Sequence, residues 1–269
     1  MVLARFFAWL DRWLGTEPAA HSSGFLSRPG SAMPPRSRAT REVLPHCALL
    51  SVDGGGQFLL CGAERLTLGH LRAGRADLGF LADVGALHAA LVRADSLQAG
   101  PGWRIEPCGG ERATVADEPV PPAGQRLAPG ARVRLGENLE FRLEVPDPAS
   151  ASVVLELQRG AECAGARHIV LLAPGPGGRV RVGSSSRHHM RVPCLEFELV
   201  LEWRGDELEL ASELELEGAL AGERGRIAFP PGERLALSCG KPRGSRPPFG
   251  LSIEPVWRER GAGPGPSGR

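Results

Sequence analysis

With 32 basic residues against 31 acidic ones in 269, the chain carries a formal net charge of +1, so no global field draws it to nucleic acid or to an anionic membrane surface. Its 42% apolar and 23% charged composition is that of a soluble globular protein, and the length fits two ordinary domains better than one large one.

Residues 1–15, MVLARFFAWLDRWLG, place Leu3, Phe6, Phe7, Leu10, Trp13 and Leu14 on one face of a short amphipathic helix. Arg5, Asp11 and Arg12 interrupt the stretch too early for a membrane span of about 20 apolar residues. Membrane-surface binding, docking in a partner groove and packing on the same protein all stay open. Residues 16–42 are rich in Ser, Pro, Gly, Ala and Arg, too little apolar surface to fold alone, and read as a disordered linker.

Short apolar or alternating runs cut by Gly and Pro then follow at 47–52, 57–61, 65–69, 88–93, 103–107, 132–135 and 139–145, the spacing of an all-β sandwich. Periodicity leaves only 83–93, DVGALHAALVR, open between helix and strand. A second series occupies 152–157, 168–172, 179–183, 195–203, 207–216, 226–229, 234–238 and 251–256. Alternation is clearest in LEFELVLEW and ELELASELELE, which puts Glu207, Glu209, Glu213, Glu215 and Glu217 on a solvated face. APGPGGR, from Ala173 to Arg179, reads as a hairpin turn. LTLG ending at Gly69 is echoed by VRVG ending at Gly183, and VRLG after Pro129-Gly130 by LALS after Pro231-Gly232, which suggests an internal duplication. The tail, 259–269, reads as disordered.

The six cysteines (Cys47, Cys61, Cys108, Cys163, Cys194, Cys239) stand singly, with no C-x-x-C pair and no zinc spacing. They read as small buried apolar residues, with no metal and no cofactor implied. Without a disulfide framework or a cleavable signal peptide, a reducing cytoplasm is the expected location, peripheral to a membrane if residues 1–15 bind one. Lys241 is the only lysine and there is no tyrosine, a bias that looks like a GC-rich bacterial genome.

Within this frame, LTLGHLRAGRADLGFLADVGALHAALVR resembles the core of a forkhead-associated (FHA) domain, a β-sandwich that binds phosphothreonine peptides through its loops. The family's I-G-R strand end, D-I-x-L strand and S-x-x-H turn are matched by Gly69, by Asp77 and Leu78, and by His88. ERATVADEPV stands where the family has N-G-T-x-V-N-G, and QRLAPGARVRLGENLEFRLEVP looks like its final hairpin, so the likeness covers 65–146. It implies a strand at 88–93, and it gives His88 a structural role in bracing the loops. It also implies that the three phosphate donors are replaced: Arg by His70, Ser by Gly85 and Asn by Glu111. His70 lacks the bidentate fork, Gly85 lacks a hydroxyl, and Glu111 repels a phosphodianion. Arg72, Arg75 and Arg112 lie near enough in sequence to supply a displaced charge. In the second series Gly183 is followed by Ser184, and the S-R-x-H string around Ser184, Arg187 and His188 falls before the next strand, where the family's serine turn does not. His188 and His189 with Arg187 are the residue types that hold an anion or a metal, yet no third ligand is evident.

No G-x-S-x-G, P-loop or H-E-x-x-H motif is present, so no enzyme is read from the sequence. The expected architecture is all-β: two tandem β-sandwich (FHA-like) domains at 43–148 and 149–258, behind a short N-terminal amphipathic helix and a disordered linker. The expected function is a protein-interaction or scaffold module that needs no phosphate. The alternatives are phosphothreonine-peptide binding in signalling through displaced arginines, and a structural spacer anchored by residues 1–15.

Overall fold

Strands make up almost all the regular structure of the computed structural model, which describes residues 40–94, 102–159, 161–173, 178–204, 207–218, 222–229, 232–239 and 249–260. These residues fall within one unit, Arg38–Arg269. The expected helix at 1–15, most of the expected linker and the chain from 261 onward lie outside the described residues.

In chain order the strands of the first half are β1 (Thr40–Val52), β2 (Gly56–Cys61), β3 (Arg65–His70), β4 (Leu78–Phe80), β5 (Ala89–Arg93), β6 (Trp103–Pro107), β7 (Ala113–Val115), β8 (Glu118–Pro119), β9 (Gln125–Arg126), β10 (Arg132–Leu135) and β11 (Leu139–Glu144). Those of the second half are β12 (Val153–Leu157), β13 (His168–Leu171), β14 (Arg179–Gly183), β15 (Met190–Arg191), β16 (Leu199–Arg204), β17 (Glu207–Gly218), β18 (Gly222–Ala228), β19 (Leu235–Cys239) and β20 (Phe249–Arg260). A 15-stranded sheet runs in the order β15-β14-β16-β17-β19-β20-β1-β2-β13-β12-β11-β10-β7-β8, with β18 paired to β17 off this path. A separate five-stranded sheet runs β4-β3-β5-β6-β9.

Two apolar cores result. The first lies between the five-stranded sheet and the β7–β13 arm of the large one, where Leu66, Leu68, Phe80, Leu91 and Trp103 meet Leu135, Phe141, Leu155 and Ile169. The second is enclosed by the large sheet alone, which brings Leu50, Phe58, Leu60 and Val170 against Val180, Leu201, Leu208 and Ile253. Strands β1, β2, β12 and β13 serve both cores. Cys47, Leu59, Cys61, Leu155 and Ile169 face the first, and their sequence neighbours Ala48, Phe58, Leu60, Val154 and Val170 face the second. Side chains alternate across a strand, so a wall buried on both faces requires unbroken apolar runs. FLLC, VVL and IVLL are such runs. The parallel pairing of β13 with β2, in which Ile169 lies opposite Leu59, belongs to the same wall. Full burial of each leucine there contributes about 1.5–3 kcal/mol.

Several expectations change. The boundary at 148/149 falls between β11 and β12, which pair with each other, Leu143 opposite Leu155. The strands on either side of APGPGGR do not pair as a hairpin, since β13 is held between β12 and β2 whereas β14 is held between β15 and β16, and residues 174–177 themselves lie outside the described residues. The strand expected at 195–203 begins only at Leu199. Leu195 N–H instead donates to the Val192 carbonyl at 3.0 Å, in a turn through Pro193 that spends part of the alternating pattern. Glu209, expected in solvent, is buried at 5% exposure. Flanked by β16 and β18, it accepts an ion pair from Arg204 at 3.1 Å, while Glu207 stays exposed; the side chains of Glu213, Glu215 and Glu217 lie outside the described residues. Ordered structure also reaches into the expected linker and tail. β1 starts at Thr40 and β20 ends at Arg260, and Arg258 pins the two together through two 3.2 Å hydrogen bonds to Glu42.

The shared wall predicts that the two cores unfold together. Leu59→Ala removes a first-core side chain and Leu60→Ala a second-core one; each should cost about 2–5 kcal/mol. In urea unfolding followed by intrinsic fluorescence, both variants should lower the midpoint of one common transition. A transition that splits in only one of them would separate the cores.

Candidate functional site

The positions where the sequence resemblance places the family's ligand contacts do meet, at the end of the sandwich where β3 runs out. His70 is the last residue of β3; its N–H donates to the Gly85 carbonyl at 2.9 Å, which ties the strand to the loop between β4 and β5. Its Nδ1 accepts from Arg72 N–H at 3.2 Å, capping a single 3₁₀ turn at Leu71–Ala73 that Gly74 closes in the left-handed region at φ 60°. Only the absence of a side chain at Gly69 allows this crossing, since a Cβ there would lie 2.3 Å from the Ala86 carbonyl oxygen. One turn further, Asp77 joins β3 to β4: its carboxylate accepts from the Thr67 N–H and hydroxyl at 2.8 and 2.7 Å, and its own N–H donates to that hydroxyl.

His88 supports the same surface from beneath. It is 2% exposed. Nδ1 accepts from Gly85 N–H at 3.1 Å and Nε2–H donates to the Arg112 carbonyl at 2.9 Å, a pattern that selects one tautomer. One buried ring thereby joins the β4–β5 loop to the loop before β7. On the solvent side, the Glu111 carboxylate fills the space that a residue-85 side chain would take, because a Cβ on Gly85 would lie 2.3 Å from Glu111 Oε1. Glu111 Oε2 lies 3.8 Å from His88 Nδ1. Anionic charge is therefore already present where the resemblance puts a phosphate.

Arg72, Arg75 and Arg112 are exposed around this surface, and no ion pair joins any of them to another described residue. The sequence reading missed two neighbours, Leu71 and Leu81, at 46% and 72% exposure. They follow directly on His70 and Phe80, which are opposite one another in the parallel β3–β4 pair, so both leucines lie just past the same end of the two strands. With Trp257, they are the exposed large hydrophobics among the described residues. The one sequence cue was an apolar residue just past each strand end.

The SSSRHH segment forms a different structure. His188 Nδ1 accepts from Ser185 N–H at 2.8 Å, and Ser185 Oγ accepts from Arg187 N–H at 3.2 Å. His188 Nε2 meets Glu198 Oε2 at 2.9 Å, and Arg181 reaches the same carboxylate at 2.9 Å. Burial pushes the Glu198 carboxyl up, but the hydrogen bonds from Arg181 and His188 outweigh it and hold it below the usual carboxylate range. His189 points inward at 4% exposure, with Nδ1 accepting from Arg181 N–H and Nε2–H donating to the Ser152 carbonyl, each at 3.2 Å. All four ring nitrogens are thus engaged, and no group of three or more His, Cys, Asp or Glu among the described residues is placed to hold a metal. Ser184 and Arg187 remain at the surface of this turn. No helix among the described residues is long and apolar enough to cross a membrane.

No protein-family model matches the chain, and no curated protein matches it.

Two predictions follow from these contacts. Gly69→Ala drives a methyl into backbone and should cost about 1–3 kcal/mol. Gly85→Ala meets only the exposed Glu111 side chain, which can rotate aside, and should stay within about 0.5 kcal/mol of the parent in the same urea titration. The second concerns pH. Burial is the main cause that lowers the basicity of His189 and of His168, against weaker opposing contributions from the Ser152 carbonyl and from Glu156. Their folded pKa lies below the unfolded value of about 6.5, so the stability of the neutral forms is present above that pH and is lost as pH falls through it. The urea midpoint should drop between about pH 7.5 and pH 5.5, and the double variant His168→Gln, His189→Gln should flatten that slope.

Proposed function

We propose that the chain is a non-catalytic protein-interaction module whose first sandwich is a degenerate FHA-like domain that binds its partner through the loops around His70, Gly85 and Glu111 without requiring phosphate. One observation carries the reading: the Glu111 carboxylate occupies the space beside Gly85, where the resemblance puts a phosphate-binding serine. A phosphodianion entering there meets a like charge where the resemblance expects a donor. The kept Gly69, Asp77 and His88 are all engaged in holding loops to strands, which supports a retained scaffold. Leu71 and Leu81 offer apolar contact for a partner at the same strand ends.

The second half fits a diverged repeat of that scaffold. β14 pairs in parallel with β15 and antiparallel with β16, as β3 pairs with β4 and β5. A second functional reading has its own support: Arg72, Arg75 and Arg112 stand exposed around the site, and displaced arginines there would still attract a phosphopeptide.

Pull-down from native lysate, with and without phosphatase treatment, separates the two readings. The proposal expects the same retained partners in both arms and a loss of retention in the double variant Leu71→Ser, Leu81→Ser. Binding that phosphatase abolishes, with a preference above about tenfold for phosphorylated over matched unphosphorylated threonine peptides that Arg72→Ala or Arg112→Ala removes, would overturn it.

A further inference from the structure

Across the shared wall, Cys47 of β1 stands directly opposite Cys61 of β2 in an antiparallel register, with the two Sγ atoms 3.4 Å apart. Neighbouring backbone bonds fix which kind of pair this is. Gly62 N–H donates to the His46 carbonyl at 2.8 Å, so His46 and Gly62 form the hydrogen-bonded pair, and the Cys61 carbonyl turns the other way to accept from Leu172 of the β13 side. Cys47 and Cys61 are therefore a non-hydrogen-bonded pair, the kind whose Cα atoms approach to about 4.5 Å, and a disulfide spans about 4.4–6.8 Å. Closing the sulfurs to bonding distance needs side-chain rotation and no change of register.

We propose that Cys47 and Cys61 are a redox-modifiable pair that closes to a cross-strand disulfide, joining β1 to β2 within the wall common to both cores. The reaction is thiol–disulfide exchange with a low-molecular-weight disulfide. One cysteine thiolate attacks it and releases one small thiol; the second cysteine then attacks the mixed disulfide and releases the other. Two cysteine thiols lose two protons and two electrons, and one small disulfide becomes two thiols.

The surroundings direct the reaction to this pair and set its pace. Cys163 shares the first core, but its sulfur contacts the Gly79 carbonyl at 3.6 Å and it stands in no cross-strand register with Cys47 or Cys61. Both wall cysteines are 0% exposed. Burial and the hydrogen bond to Cys47 hold the Cys61 thiol well above its ordinary range, so thiolate is scarce and exchange on the closed protein is slow. Access comes through local opening of β1, whose ladder to β20 breaks between Val43 and Ala48 and leaves Cys47 without a partner on that side.

The test is a redox titration of the full chain in glutathione buffers, brought to equilibrium from fully reduced and from fully oxidised protein, with free thiols alkylated after unfolding. Trypsin cutting after Arg41 and Arg65 leaves Cys47 and Cys61 in one peptide. In oxidising buffer that peptide should lack two hydrogens and take no alkyl group, and further cleavage before Asp53 should leave its halves linked. Cys163→Ala should keep the linkage, and Cys47→Ala should leave Cys61 open to alkylation or glutathionylation. The oxidised chain should also unfold at higher urea than the reduced one, a difference that Cys61→Ala removes. Both cysteines still alkylating at equilibrium from either direction, or a linkage to Cys163 or Cys194 instead, would overturn the assignment.

Discussion

Two-sided burial of β1, β2, β12 and β13 is the constraint on which the rest of the structure depends. A strand with one wet face can change neighbours by exposing or covering a row of side chains. A strand with Leu59 on one face and Leu60 on the other has no face to give up, so its register is fixed from both sides at once. The first core borrows that rigidity to hold the five-stranded sheet, and the loops at the end of β3 are the part of that sheet left free to vary.

The separation of scaffold from surface is visible residue by residue. Gly69, Asp77 and His88 face backbone or a strand neighbour, and their roles are met within the fold: a close crossing, a β3–β4 tie and a loop-to-loop bridge. His70, Glu111, Arg72 and Arg112 stand at or near the surface, where a substitution costs little stability. Gly85 and Glu111 belong together in this respect. A carboxylate beside residue 85 is comfortable because residue 85 has no side chain, so the two residues are sterically coupled.

Much of this was legible in the sequence, and the parts that were not share a cause. Periodicity finds strands and their wet faces, and β2, β3, β6 and β10 to β14 lie close to where the runs put them. It does not report which strand lies beside which. VVLEL and HIVLL showed the unbroken apolar character of a doubly buried strand, yet read in chain order they suggested the opening of a new domain. Glu209 alternated correctly and was buried all the same, because β18 lies alongside β17 as β16 does and Arg204 neutralises the carboxylate. LEFE before Leu199 kept the alternation through a turn, since a turn after Pro193 can bury Leu195 as a strand would. The site residues came from a likeness in ordered motifs, and that route had nothing to say about Leu71 and Leu81, which match no motif and differ from buried leucines only in where the strand stops.

The pairing of β1 with β20 has a consequence for how the chain is made. β1 is made well before β20, so the β1 edge opposite β2 stays unpaired while every strand between them is synthesised. β2 likewise waits for β13. A nascent chain holding an apolar strand with an open edge offers a template for pairing with its neighbours on a polysome. Contacts this distant in sequence close slowly. The wall that makes the fold cohere is thus completed only after every strand between β1 and β20 has been made, and a translation product arrested before β20 would carry it open.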